Sequence, residues 1–169
     1  MCCTHISEGG FLPLGKRNSI HTNTSGIILA NAKTKYILLA LKIKDIYPNG
    51  IIKMLRLSGG YSAGKMGFIE LQLHSSVGNI GAIDGMLSYT DLSDSIAQYS
   101  FGTGTQTIVT DGYPLTSFFV ASQSSFNFAQ NDFETLLKKT ICTQYDTLYL
   151  IGVGSSTGDL MFATMDFIE

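Results

Sequence analysis

Residues 60–64, Gly-Tyr-Ser-Ala-Gly, spell the G-x-S-x-G pattern that surrounds the nucleophilic serine of many hydrolases. Such a serine needs a strand-to-helix turn, and then an acid and a histidine that relay its proton. Here an alternating, strand-like run follows, and the next acid and histidine, Glu70 and His74, lie on one face of that run. We interpret the pattern as a glycine-rich hairpin turn and expect no catalytic residues. A small hydrolase that uses Ser62 is the less favoured alternative.

Two other glycine patterns resemble nucleotide-binding loops. The segment from Gly59 to Lys65 fits G-x-x-x-x-G-K, but Met66 stands where a Ser or Thr would bind Mg²⁺, and no helix follows. The segment from Gly152 to Gly158 follows a strand, but the rest of the chain has no room for another helix and strand. We expect a hairpin loop at each segment and predict no cofactor.

Cys2, Cys3 and His5 stand close together, yet they supply at most three metal ligands with no partners to orient them. Asp91 and Asp94, with Asp84 nearby, could place carboxylate oxygens around Ca²⁺. They match no calcium loop and are typical of solvated turns, so we predict no metal site. Three cysteines make no disulfide framework. A reduced, frayed terminus is the favoured interpretation of Cys2 and Cys3, with an interchain or metal role as the alternative.

Aromatic residues beside polar loops are the remaining candidates for function. An exposed tyrosine ring can stack on the face of a sugar, while neighbouring hydroxyls and carboxylates form hydrogen bonds with the sugar's hydroxyl groups. The predicted ligand-binding residues are Tyr61, Tyr89, Asp91 and Tyr113. In the alternative interpretation each tyrosine only bridges the core and the solvent.

The elements that position these residues are short runs separated by turns of Gly, Asn, Ser and Thr. Residues 68–74 alternate between apolar and polar side chains, as a half-buried strand does. The predicted strands are 36–43, 51–57, 68–74, 83–89, 96–101, 107–109, 117–121, 125–128, 147–153 and 160–168. Residues 133, 136, 137 and 141 are apolar at helical spacing and follow a capping Asn131 or Asp132.

We therefore predict an all-β, jelly-roll-like antiparallel β-sandwich with one short helix near 131–141. Residues 1–30 form an extended N-terminal lead-in, with a short strand near 27–30, and residues 31–169 form a single domain. The chain of 169 residues is 44% hydrophobic and only 14% charged, with a net charge of −2. We expect no nucleic-acid partner, because no excess of basic residues is present.

The start of the chain lacks the basic and apolar blocks of a signal peptide, and no apolar stretch is long enough to span a membrane. We therefore expect no membrane insertion. We expect the protein to be either cytosolic or released without a signal peptide, as virion proteins are.

The order of elements from residue 34 onward resembles the head domains of bacteriophage tail fibres and related virion receptor-binding proteins. The likeness lies in strand 36–43, in the pair 55–60 and 67–73, and in the ending that begins at 146–150. TNF-like and C1q-like jelly rolls have a similar order. The resemblance implies a non-enzymatic homotrimer in the virion that recognises a cell-surface glycan or protein.

The alternative function is a structural virion or assembly subunit, such as a capsid decoration or tail protein, that binds only its own kind. Both functions need an interface between subunits. A chain with so few charges should leave apolar strand faces for a neighbour to cover. The predicted interface residues are Phe118, Phe119, Met161, Met165 and Phe167.

Overall fold

The computed structural model describes residues 15–47, 50–62, 65–75, 83–129, 136–138 and 146–169. All secondary-structure elements in these ranges are β-strands, and every strand pair is antiparallel. The predicted all-β antiparallel sandwich is therefore confirmed. The predictions for Cys2, Cys3 and His5 lie outside the described residues.

The first sheet contains the two ends of the described chain. Its strands are β1 (Arg17–His21), β2 (Ile27–Ile28), β4 (Ile51–Ser62), β11 (Ser124–Ala129), β12 (Leu136–Lys138) and β14 (Leu160–Ile168). Their order is β1–β14–β4–β11, with β2 also beside β14 and β12 also beside β4. The predicted lead-in thus contributes β1 and β2 to the sandwich, and β1 is a strand that the sequence pattern did not indicate.

The second sheet contains the other eight strands. They are β3 (Lys35–Ile43), β5 (Gly67–His74), β6 (Ile83–Asp84), β7 (Thr90–Asp91), β8 (Ala97–Phe101), β9 (Thr107–Ile108), β10 (Tyr113–Val120) and β13 (Thr147–Val153). Their order is β10–β5–β13–β3–β8–β7, and β9 pairs with both β3 and β6.

Most consecutive long strands lie in opposite sheets. The chain passes from β3 to β4 and from β4 to β5 by crossing between the sheets, and it crosses again from β10 to β11 and from β13 to β14. Eight strands in the orders β1–β14–β4–β11 and β10–β5–β13–β3 make the jelly roll. The predicted hairpins after β4 and after β13 are therefore wrong. Turn residues specify a reversal of the chain but not the partner of the next strand.

The core lies between the two sheets and takes alternate residues from each strand. On β14, the residues Met161, Ala163, Met165 and Phe167 all point inward and are buried. They pack in one cluster with inward residues of β3, β5 and β13, such as Leu41, Ile69 and Leu150. Burying large side chains of this kind stabilises the fold by roughly 1.5–3 kcal/mol each.

The outer face of the second sheet is also covered. Ile37, Ala40, Tyr149 and Ile151 form a second buried cluster there, beneath side chains of the segment 83–108. A β-bulge shifts the register of β13 against β3 between Leu150 and Ile151. Strands β3 and β13 are consequently buried on both faces, which explains why they carry the longest apolar runs.

The prediction of a helix near 131–141 is wrong at its centre. Leu136–Lys138 form strand β12, which pairs with Ile51–Lys53 of β4, and the rest of the predicted helix lies outside the described residues. Strand β4 is twelve residues long, and β11 pairs only with Arg56–Tyr61. The start of β4 therefore has a free edge on the side of β11, and its backbone groups there bond to residues 136–138. This tertiary partner overrides the local preference for a helix.

Strand β4 also continues through Ser58-Gly59-Gly60, where the sequence predicted a turn. A Cβ atom on Gly59 would lie 2.0 Å from the Phe162 carbonyl oxygen and 2.6 Å from the ring of Phe126. Phe126 is the partner of Gly59 in the neighbouring strand. The glycine therefore leaves space for an aromatic core residue inside a continuous strand.

Two neighbouring glycines of β4 should respond differently to the same substitution. We expect Gly59→Ala to lower the free energy of unfolding by about 1–3 kcal/mol, because its Cβ overlaps a backbone oxygen and the Phe126 ring. Gly60→Ala is the matched control, since its Cβ would meet nothing closer than 3.8 Å, and its effect should stay within about 0.5 kcal/mol. Urea denaturation measures both values. Equal losses at the two positions would contradict this account of Gly59.

Candidate functional site

Tyr61, the first predicted ligand residue, is buried at the end of β4 and is only 2% exposed. Its hydroxyl donates to Asp159 Oδ2 at 2.5 Å, lies 3.0 Å from Ser155 Oγ and accepts from the Ser155 amide at 3.3 Å. The Ser156 amide donates to the same Asp159 oxygen at 2.9 Å. Tyr61 therefore fastens the β13–β14 loop to β4, and the prediction that its ring is exposed for a sugar is wrong.

Tyr89, the second predicted residue, packs on the outer face of the second sheet. It covers the second apolar cluster, and its hydroxyl lies 3.4 Å from the hydroxyl of Tyr149. Burial raises the pKa of Tyr89 well above its usual value. The half-buried side chain holds the outer segment against the sheet.

Asp91 and Tyr113 are both exposed, at opposite edges of the second sheet. Asp91 accepts from Gln98 Nε2 at 2.8 Å and lies 3.6 Å from Lys44 Nζ. Tyr113 begins β10, five strand positions away from β7. At about 4.8 Å per strand they are roughly 24 Å apart, so the four predicted residues do not form one site.

Of the predicted interface residues, Phe119 alone is exposed, at 72%. Met161, Met165 and Phe167 are fully buried inside the single chain, so their assignment to a subunit interface is wrong. Phe118 packs inward with its ring 4.0 Å from that of Phe128. All five residues have large side chains, and only the fold decided which face of each strand is inside.

A chain of polar side chains runs along the outer face of β5. Lys35 Nζ lies 2.9 Å from Glu70 Oε2 and donates to Asp111 Oδ1 at 2.6 Å. Gln72 Nε2 also donates to Asp111, at 3.0 Å, and its Oε1 lies 2.8 Å from His74 Nε2. The hydrogen bonds from Gln72 and Lys35 lower the pKa of Asp111.

His74 is the innermost member of this chain and is 1% exposed. Its Nε2 donates to Gln72, which places the neutral ring's lone pair on Nδ1, an atom with no hydrogen-bond partner. Burial lowers the pKa of His74, although the charges of Asp111 and Glu70 oppose that effect. The arrangement stabilises a neutral imidazole.

Ser62, the candidate nucleophile, is exposed at the end of β4 in the first sheet, whereas Glu70 and His74 belong to β5 in the second. It borders an open groove of about 560 Å³ that is also lined by Gln123 and Phe162. No acid–histidine pair lines this groove among the described residues. In the same ranges no three His, Cys, Asp or Glu side chains are grouped as metal ligands.

Two more concave regions lie elsewhere. A groove of about 510 Å³ on the first sheet contains Arg17 and the ion pair between Arg56 and Asp166, at 2.6 Å. A cleft of about 230 Å³ lies between the segment 86–90 and β8. Phe101, Ser88 and Thr103 of this cleft were not among the predicted site residues. The clustering of hydroxyls at 103–107 was the signal available in the sequence.

No family model matches this chain, and no curated protein matches it either. Among solved structures, it is similar to one described as "Bacillus endospore appendages form a novel family of disulfide-linked pili". That comparison has a TM-score of 0.36 and 14% sequence identity, and it covers 99% of this chain and 95% of the other. A likeness at this level establishes no shared function. Within the described ranges, no helix has the length and hydropathy to cross a membrane.

Removal of the Tyr61 hydroxyl should destabilise the fold. We expect Tyr61→Phe to lower the free energy of unfolding by about 1–3 kcal/mol, because the buried Asp159 carboxylate loses a donor. Tyr47→Phe, at a residue that is 40% exposed, should change it by less than about 0.5 kcal/mol. Thermal and urea unfolding measure both. A Tyr61→Phe protein as stable as the parent would show that Asp159 does not depend on this bond.

Stability should fall in mild acid because of His74. Its pKa in the folded state lies below the ordinary value of about 6.5, so below that pH the unfolded chain binds a proton that the folded chain does not. The unfolding free energy should then decrease by up to about 1.4 kcal/mol per pH unit. His74→Gln should flatten the profile between about pH 6.5 and 5, whereas the control His21→Gln, at an exposed residue, should not. Parallel profiles for His74→Gln and the parent would refute this assignment.

Proposed function

We propose that this protein is a non-enzymatic structural subunit that associates with further copies of itself through the open side of its sandwich. The open side comprises β10, β11 and the turn 121–123 between them. Within the described residues each of these strands is the last of its sheet, since β10 pairs there only with β5, and β11 only with β4. An unpaired strand edge presents backbone donors and acceptors that another strand can satisfy.

The two edges lie together on one side of the molecule. Phe118 of β10 packs between the sheets against two rings of β11, with its centroid 5.4 Å from that of Phe126 and 4.0 Å from that of Phe128. These contacts align the ends of both sheets. A neighbouring subunit therefore meets two adjacent strand edges and not one isolated strand.

The open side has none of the charges that usually protect a strand edge. No charged residue stands between Asp111 and Asp132, although soluble proteins commonly place lysine or other charges on such edges to prevent pairing. An uncharged edge can meet a copy of itself without repulsion between like charges. This observation carries the proposal and favours a second copy as the partner.

The opposite side of the sandwich is closed by polar contacts between the sheets. Lys16 Nζ donates to the carbonyl oxygens of Ser93 and Asp94 at 2.7 and 2.6 Å. Glu169 Oε2 accepts from Ser95 Oγ at 2.7 Å and from the Ile96 amide at 2.9 Å. The contrast between the two sides supports association through the uncharged one.

Phe119 adds apolar surface to the open side. Its ring centroid lies 5.3 Å from that of Phe68, and Met66, two residues before Phe68, is 57% exposed. Exposed aromatic and methionine side chains are typical of the central part of a protein–protein interface. Phe119 is thus the one predicted interface residue that remains a candidate.

Recognition of a cell-surface glycan or protein by a virion head, the function that the family resemblance implies, stays a prediction, as does the homotrimer. The four residues predicted for that role lie apart, so the geometry favours the structural function. Association with copies of itself is common to both.

Charge on the open side should prevent association. We expect the parent to sediment as an oligomer, with a mass near three times 18.3 kDa if it is the predicted trimer. Phe119→Asp and Ser117→Lys should yield folded monomers, because a charge buried in the interface costs several kcal/mol. Sedimentation velocity measures the mass, and circular dichroism verifies that each variant keeps its strands.

Ile46→Asp is the matched control, since it places the same charge on an apolar residue that is 75% exposed elsewhere. It should leave the oligomeric mass unchanged. A parent that is monomeric at every concentration, or variants of the open side with the parent's mass, would refute the proposal.

A further inference from the structure

The cleft beside β8 has walls of two kinds. One wall is the segment 86–90, and the other is the end of β8 with the following turn. Strand β7 pairs only with Gln98 and Tyr99, so among the described residues no strand covers the edge of β8 beyond them, at the bottom of the cleft. The described residues that line it include Met86, Ser88, Thr90, Phe101, Thr103 and Gln106.

The lining combines aromatic surface with neutral hydrogen-bonding groups. Phe101 is 42% exposed and presents an apolar surface at the cleft. The side-chain hydroxyls of Ser88 and Thr90 have no hydrogen-bond partner within the described part of the chain, so they are free to bind a ligand. None of the described lining residues is charged. This set suits a ligand with both C–H surface and uncharged hydroxyl groups, and it offers nothing to balance a phosphate or a carboxylate.

Gln106 holds the two walls in a fixed relation. Its side chain is largely buried, its Nε2 donates to the Met86 carbonyl oxygen at 3.2 Å, and its Oε1 accepts from the Thr103 amide at 2.8 Å. One amide side chain thus ties the segment 86–90 to the turn that follows β8. Within the described residues the second N–H of Gln106 Nε2 has no acceptor.

The turn that follows β8 is also fixed from beneath. A Cβ atom on Gly102 would lie 1.8 Å from the Ile37 carbonyl oxygen, and one on Gly104 would lie 2.0 Å from that of Ile28. Gly104 has a φ of +86°, a conformation that favours glycine. The turn therefore packs directly on the backbone of β2 and β3, so the cleft is formed before any ligand binds.

We infer that this cleft is a saccharide-binding site that takes one neutral sugar unit. The sugar's C–H face stacks on Phe101, and its hydroxyls bond to Ser88, Thr90 and the free amide hydrogen of Gln106. The volume of about 230 Å³ is smaller than that of most drug-sized sites and matches a single ring. The site lies away from the open side, so copies that associate there keep it accessible.

Titration with free monosaccharides tests this inference. The probes are glucose, galactose, mannose, N-acetylglucosamine and fucose, with glucuronic acid and N-acetylneuraminic acid as charged comparisons, observed by saturation-transfer NMR on the full chain. At least one neutral sugar should bind at millimolar concentration. Phe101→Ala should weaken it about tenfold through the lost stacking contact, and Ser88→Ala should weaken it by about three- to tenfold through one lost hydrogen bond.

Phe119→Ala is the matched aromatic control, since it removes an exposed ring from the open side and should leave the sugar affinity unchanged. It also separates the two proposals, because its effect on oligomeric mass tests self-association alone. Circular dichroism establishes that each variant is folded. The inference is overturned if no neutral sugar binds, if only the charged sugars bind, or if Phe101→Ala and Ser88→Ala retain the parent's affinity.

Discussion

Burial of β3 and β13 on both faces is the constraint on which the rest of this structure depends. Their inner residues fill the space between the sheets, and their outer residues lie under the segment 83–108. Backbone groups buried in this way need partners. The Ile37 amide donates to the Gln106 carbonyl oxygen at 3.0 Å, and the Gly102 amide donates to that of Leu38 at 3.0 Å. These bonds fix the outer segment, and with it the cleft beside β8.

The distribution of charge then divides the molecule into two unlike sides. Where β1 and β8 approach one another, Lys16 and Glu169 bond to the turn before β8 and close the gap between the sheets. On the open side, the edge strands β10 and β11 carry hydroxyls, amides and phenyl rings but no charge. Polar contacts can satisfy an edge within one chain, whereas an edge without them is satisfied by water or by another subunit. The low total charge thus matters mainly because it leaves the open side without any charged side chain.

Much of the strand layout was available from local pattern. The run 147–153 was predicted with the same limits that β13 has, because a continuous apolar stretch between turn residues permits few alternatives. The closing strand was predicted with equal success, and its four inward residues share one face as expected. Prediction failed where a partner distant in sequence overrode a local preference. Residues 136–138 form a strand because they pair with the start of β4. Gly59 continues a strand because Phe126 occupies the space that a side chain would need.

The sequence by itself determined where most of the long strands lie, which of their faces are apolar, and that the stretch between Asp111 and Asp132 is uncharged. These properties follow from residue type and from a period of two along the chain. Only the tertiary structure decided which strands pair and which aromatic residues are exposed. Tyr61 bonds to Asp159, 98 positions later, and Phe118 turns inward while Phe119 turns outward. The physical reason is that hydrogen bonds and packing between the sheets join residues far apart in the chain, and local patterns do not specify those partners.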